Sequence, residues 1–174
     1  MRTITGGAVI LALTLTGACT SKSASAKLPA GTTLLDCSGP IGEMPSPTSP
    51  QTSILDAVAL DTTSTLQTDN NGGTDPHRLF AKTGLLVHAG HDATVTVPAD
   101  WAARVSIAWG NHAAQWTTSL HIPACAKDPT GTGDWFVFPG GFSLDAAACV
   151  PVEIRSGNKT TTVHVSVATR CPEY

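Results

Sequence analysis

Runs of basic residues are absent from this chain, and charged residues of either sign are scarce. Only 13% of the 174 residues are Asp, Glu, Lys or Arg, and the formal net charge is −3. Proteins that bind nucleic acid or anionic lipid electrostatically need a concentrated positive patch. The sequence therefore predicts no nucleic-acid partner and no attachment to a membrane through charge alone.

Recognisable catalytic motifs are also lacking. The segment Gly141-Phe142-Ser143-Leu144-Asp145 fails the Gly-x-Ser-x-Gly pattern of a nucleophile elbow, because an aspartate takes the place of the second glycine. Glu43, Glu153 and Glu173 are too scattered to nominate as the carboxylate pair of a glycoside hydrolase. We therefore predict no catalytic residue and no cofactor. A hydrolase whose catalytic residues are dispersed along the chain stays an alternative.

Long hydrophobic runs are missing as well. The apolar stretch from Ile4 to Leu15 follows a charged Met1-Arg2 start and holds about a dozen residues. A membrane-spanning helix needs roughly 20 residues, whereas a shorter apolar stretch is typical of a secretory signal peptide. The sequence therefore predicts a signal peptide over residues 1–18 and export across the cytoplasmic membrane.

The end of this stretch predicts a lipid anchor. Small residues lead into Cys19, in a segment that resembles the lipidation motif of bacterial lipoproteins, although Thr16 stands where leucine is usual. Ordinary cleavage after Ala24-Ser25-Ala26 is the alternative. Several acyl chains on one cysteine anchor a protein stably, and the small polar residues of 19–31 predict a flexible tether. We expect a membrane-anchored protein whose domain, residues 32–174, lies on the extracytoplasmic face.

Four further cysteines remain, namely Cys37, Cys125, Cys149 and Cys171, and none forms a Cys-x-x-Cys motif. An even number of cysteines in an exported protein predicts disulfides, and four cysteines allow three pairings. We favour Cys125–Cys149, which brackets an aromatic segment, together with Cys37–Cys171, which ties the first strand to the C-terminal end.

Helical periodicity is nearly absent, and short β-branched runs separated by Gly, Pro, Asn and Asp take its place. This pattern predicts an all-β domain, an antiparallel two-sheet β-sandwich of Ig-like character, with a small β-barrel as the alternative. The predicted strands are Thr33–Cys37, Ile54–Leu60, Leu79–Val87, Ala93–Val97, Arg104–Trp109, Gln115–Ile122, Trp135–Phe138, Cys149–Arg155 and Thr160–Ala168.

Four segments together resemble a group of small secreted or lipid-anchored actinobacterial proteins. They are Asp75–Leu79, Val105–His112, Trp135–Phe142 and Cys149–Glu153, and the resemblance covers roughly residues 50–172. It implies an extracytoplasmic location and disulfide bonds. The group has no assigned activity, so the resemblance implies no functional residue.

The histidines raise a metal hypothesis. His88 and His91 flank a predicted turn beside Asp92, and His112 lies in another loop. Imidazole together with carboxylate suits zinc or copper. A metal-binding surface lipoprotein that uses His88, His91 and His112 is therefore one expected function, and solvent-exposed turn histidines are the plainer interpretation.

Aromatic residues carry the remaining signal. The set that we nominate for binding is Trp116, Trp135, Phe138 and Phe142. An exposed aromatic strand docks a partner or stacks on a sugar ring, whereas a buried one is core. With no catalytic motif in the chain, our first expectation is a non-enzymatic binding or interaction module, whose partner is a cell-surface protein or a cell-wall sugar.

Overall fold

The computed structural model describes residues 31–70, 76–111, 115–127 and 129–172, so the predicted signal peptide and Cys19 lie outside the described residues. The described residues form no helix, so they include no helix that could cross a membrane. The predicted all-β class is confirmed. The strands are β1 (Thr32–Leu34), β2 (Gly42–Met44), β3 (Gln51–Ile54), β4 (Val58–Asp61), β5 (Thr65–Leu66), β6 (Asp69–Asn70), β7 (Leu79–Lys82), β8 (Leu85–His88), β9 (Ala93–Thr96), β10 (Val105–Trp109), β11 (Ser119–Ile122), β12 (Trp135–Phe138), β13 (Gly140–Leu144), β14 (Ala148–Ser156) and β15 (Lys159–Val167).

The strands form three sheets. A six-stranded sheet has the order β1-β11-β9-β14-β15-β5, a five-stranded sheet the order β2-β12-β8-β4-β3, and a four-stranded sheet the order β10-β13-β7-β6. Antiparallel pairing dominates, and the two parallel pairs are β1 with β11 and β15 with β5. None of the sheets closes into a barrel, and the arrangement is that of a β-sandwich.

One hydrophobic core joins the three sheets. Val152 from the six-stranded sheet, Phe138 from the five-stranded sheet and Phe142 from the four-stranded sheet belong to the same buried cluster. In β14, Val150, Val152 and Ile154 are fully buried while the residues between them are partly or fully exposed. This alternation follows from the period of two of a β-strand, and it fixes which face of the sheet packs inward.

Two predicted strands are each divided in the structure. Ile54–Leu60 breaks at the three-residue turn Leu55–Ala57 between β3 and β4, and Leu79–Val87 breaks at Thr83-Gly84 between β7 and β8. The second break moves the chain from the four-stranded to the five-stranded sheet. The chain crosses between these two sheets a second time, from β12 to β13. The Thr83 amide donates to the Gly140 carbonyl (2.9 Å), so the two crossings lie next to each other. The sandwich therefore uses three sheets where the sequence predicted two.

The predicted cysteine pairing is wrong, although the number of disulfides is confirmed. The structure bonds Cys37 to Cys125 and Cys149 to Cys171. Because β1 and β11 are parallel, both strands end at the same end of the sheet. Cys37 and Cys125, which follow these strands, meet there. In the antiparallel β14–β15 hairpin, Cys149 near the start of β14 is paired with Ser166 near the end of β15. The Cys171 amide donates to the Ser166 hydroxyl (2.9 Å), which brings Cys171 back to Cys149.

Candidate functional site

Three potential metal ligands converge at one end of the five-stranded sheet. Asp56 lies in the β3–β4 turn, His88 is the last residue of β8, and His91 follows in the loop to β9. One ligand-type atom from each residue lies within 4.8 Å of the others. We call these three residues the Asp–His cluster, and no other group of three such residues occurs in the part of the chain that the structure describes.

An uncommon backbone conformation places Asp56. The Ala57 amide donates to the Ile54 carbonyl (3.1 Å), which closes a β-turn with Leu55 and Asp56 at its centre. Leu55 and Asp56 both have positive φ, 54° and 56°, the pattern of a type I′ turn that normally uses Asn-Gly. Aspartate tolerates this conformation, but a leucine there is strained. Leu55 packs against the main core, and strain of this kind is frequent at functional sites.

The His88 ring has a defined orientation and tautomer. Its Nδ1 lies 2.8 Å from the Asp56 main-chain carbonyl oxygen and 3.5 Å from Asp56 Oδ1. A carbonyl oxygen only accepts, so Nδ1 carries the hydrogen and the neutral ring keeps its lone pair at Nε2. Histidines that ligate metals are commonly oriented in this way by a carbonyl behind the ring. His88 therefore presents Nε2 as its ligand atom, and the Asp56 carboxylate, which lies 3.5 Å from Nδ1, has to turn toward Nε2 to share an ion with it.

The rings of His91, His88 and Trp135 are stacked at the site. His88 lies between His91, at a centroid distance of 4.3 Å and an interplanar angle of 11°, and Trp135, at 4.6 Å and 5°. Trp135 is paired with His88 across β12 and β8 and packs on Ala59 and Leu86. Ligand lone pairs lie in the plane of an imidazole, so an ion shared by both histidines requires one ring to turn. His91, in the loop, is the ring that can turn without disturbing a strand.

A second carboxylate lies beside the cluster. Asp134 forms an ion pair with Lys127, and this hydrogen bond and charge hold the pKa of Asp134 below its ordinary value, with a smaller contribution from His88. The Asp134 carbonyl also accepts from the Ala89 amide (2.8 Å), directly after β8. The loop that carries His91 is therefore attached to the segment before β12.

Three of the four aromatic residues predicted to form a binding surface are buried. Phe138 and Phe142 are fully buried, and Trp135 is only 5% exposed. Phe138 and Phe142 lie in the main core, whereas Trp135 lies on the opposite face of the five-stranded sheet, in a small separate cluster with Ala59 and Leu86. Trp116 is partly buried, and its ring meets Phe80 edge-on (6.0 Å).

Of the histidines predicted to bind metal, the structure brings two together. His88 and His91 are neighbours, whereas His112 lies outside the described residues. Asp56 was missed, because it precedes His88 by 32 residues and no motif spacing links them. Asp92, which the sequence placed beside this site, instead lies 3.3 Å from His121 Nε2.

No family model, no curated protein and no solved structure matches this chain. Its function therefore has to be inferred from its own side chains. The Asp–His cluster offers two imidazoles and one carboxylate at one end of the five-stranded sheet, with the buried Trp135 ring stacked on His88.

Proposed function

We propose that the protein is a lipid-anchored, extracytoplasmic binding module and that its ligand is a divalent transition metal, zinc or copper. The observation that carries this proposal is the convergence of Asp56, His88 and His91 within 4.8 Å. The lipid anchor at Cys19 rests on the sequence motif alone. Two disulfides agree with an oxidising compartment outside the cytoplasm.

The donor set favours these metals over calcium or magnesium. Two imidazole nitrogens and one carboxylate oxygen suit zinc and copper, whereas calcium and magnesium prefer oxygen ligands throughout. Three protein ligands leave a further coordination position for water or a partner's side chain. The module therefore has room to pass its metal on or to be completed by a partner at the cell surface.

Calorimetric titration of the detergent-solubilised, full-length protein with Zn²⁺, and separately with Cu²⁺, tests the proposal. We expect one site per chain and a loss of affinity of at least about 10-fold in His88→Ala and His91→Ala, since even residues behind the ligands contribute about that much. Metal at about 100 times its Kd should also stabilise the fold by about 2.7 kcal/mol.

His121→Ala is the matched control. His121 also pairs with an aspartate (3.3 Å), and its side chain is 20% exposed against 22% for His88. It has no third ligand among the described residues. Unchanged affinity in this variant is expected. Equal binding by all four proteins, or a melting midpoint that saturating metal does not move, would overturn the proposal.

A further inference from the structure

Another histidine, His77, forms a chain of hydrogen bonds on the four-stranded sheet, away from the Asp–His cluster. Asp145 Oδ1 lies 2.8 Å from His77 Nδ1, and Ser106 Oγ lies 3.4 Å from His77 Nε2. Serine, histidine and aspartate in this order are the parts of a nucleophile, its base and the group that orients the base. None of the three was nominated from the sequence.

The strand order brings these residues together. Ser106 lies within β10, Asp145 directly follows β13, and His77 lies just before β7. These strands are neighbours in the order β10-β13-β7, and Ser106 is paired with Ser143. The Ser143 hydroxyl accepts from the His77 amide (3.1 Å), so the His77 backbone is held to the middle strand.

The hydrogen bonds assign the protons. A carboxylate only accepts, so Nδ1 of His77 donates to Asp145. The neutral ring then has its lone pair on Nε2, facing the Ser106 hydroxyl. A separation of 3.4 Å is longer than a good hydrogen bond, and such contacts are often long before a substrate binds.

The surroundings of Ser106 favour a small substrate. Ser106 is 9% exposed and the His77 side chain 11%, whereas the Asp145 side chain is 60% exposed. The next residue on the same face of β10 is Ala108, and its partner across the sheet is Gly141. Small residues therefore flank the hydroxyl along both strands.

We propose that Ser106 is the nucleophile of an esterase site for short acyl groups, with His77 as its base and Asp145 as a positioning residue. Ser106 Oγ attacks the ester carbonyl carbon while His77 Nε2 takes the hydroxyl proton. The imidazolium returns this proton to the alcohol oxygen as the ester C–O bond breaks. Water then attacks the acyl-serine, its proton passes through His77 back to Oγ, and the carboxylic acid leaves. No electrons are exchanged with an outside group.

Labelling with a fluorophosphonate probe tests the nucleophile in the full-length, solubilised protein. The activated Oγ attacks phosphorus, fluoride leaves, and peptide mass spectrometry locates the adduct. We expect the adduct on Ser106, no adduct there in Ser106→Ala, and labelling at least about 100-fold slower in His77→Gln. Ser166→Ala is the matched control, because Ser166 is also a buried strand serine (7% exposed) but its hydroxyl accepts from the Cys171 amide.

Ester hydrolysis tests the positioning role and the substrate size. We expect p-nitrophenyl acetate to react faster than p-nitrophenyl octanoate, and Asp145→Asn to lower kcat with little change in KM. Asp145→Glu keeps the carboxylate and should restore part of the rate, and Asp145 is exposed enough for both variants to fold. A wild-type protein that takes no label on Ser106, or labelling that is equally fast in His77→Gln, overturns the proposal.

The two sites are distinguishable by experiment. Labelling of Ser106 should be unchanged by a chelator, because the Asp–His cluster is on a different sheet. Labelling that disappears with the chelator would contradict a metal-independent esterase.

Discussion

Removing each disulfide separately tests the cysteine pairing through protein stability. One double variant replaces Cys37 and Cys125, which are 88 residues apart, and the other replaces Cys149 and Cys171, which are 22 apart, with alanine in each case. A disulfide stabilises mainly by restricting the unfolded chain, by an amount that grows with the logarithm of the loop length. At 25 °C this relation gives about 4.6 kcal/mol for the longer loop and about 3.4 kcal/mol for the shorter one.

Burial acts in the same direction. Cys125 is 2% exposed and belongs to the main core, so alanine there leaves a small cavity that costs about 1 kcal/mol more. Cys149 and Cys171 are only partly buried. The variant without Cys37–Cys125 should therefore be less stable than the other by about 2 kcal/mol, which is about 4 to 8 °C in melting temperature.

Urea unfolding of the wild type and the two double variants measures these differences by linear extrapolation. The two loops do not overlap along the chain, so a variant without either bridge should lose close to the sum of both effects. If the protein without Cys149–Cys171 is the less stable one, loop length and burial do not set the difference between the two bridges. Recovery of a linked Cys37–Cys171 peptide without reduction would refute the pairing directly.

Three further predictions concern the core, the metal cluster and the neighbouring ion pair. Phe142→Ala should cost about 3–5 kcal/mol in denaturant unfolding, since Phe142 is fully buried; a cost below about 1 kcal/mol would contradict its place in the core. Asp56→Asn keeps a residue that tolerates positive φ, so stability should stay within about 0.5 kcal/mol while Zn²⁺ binding weakens in calorimetry; unchanged binding would exclude the carboxylate as a ligand. Lys127→Met should raise the pKa of Asp134 in a carbon NMR titration, because Lys127 is the main cause of the lowered pKa. In the wild type, the ion pair stabilises the fold at pH values above the pKa that Asp134 has in the unfolded chain. This stabilisation is lost as the pH falls through the pKa of Asp134 in the folded protein.

The β14–β15 hairpin shows what local pattern predicts well. In Cys149–Arg155 and Thr160–Ala168, alternation predicts that six residues face inward: Val150, Val152, Ile154, Val163, Val165 and Val167. All are fully buried except Val163, which is partly buried against the core. Gly157, with φ of 57°, closes the turn between the two strands. Each of these features depends on residues close together in sequence, and that is why the sequence predicts them.

The β3–β4 turn shows where local pattern fails. Leu55-Asp56 carries no glycine or asparagine, so nothing in the sequence marks a tight turn there, and one continuous strand was predicted. The conformation is imposed by the pairing of β3 with β4 and by Leu55 packing on the core. The same turn delivers Asp56 to the metal cluster, so the missed turn and the missed ligand have one cause.

The all-β class, the even set of four disulfide cysteines and the inward face of the clearest strands are predictable from the sequence, because they follow from composition and from a period of two. The fold is needed to know which cysteines pair, that Asp56 meets His88, and that His77 lies between Ser106 and Asp145. Alternation states which face of a strand is buried, but it does not state which strand lies beside it. Both candidate sites are built between strands that are distant in sequence, and strand order alone brings their residues together.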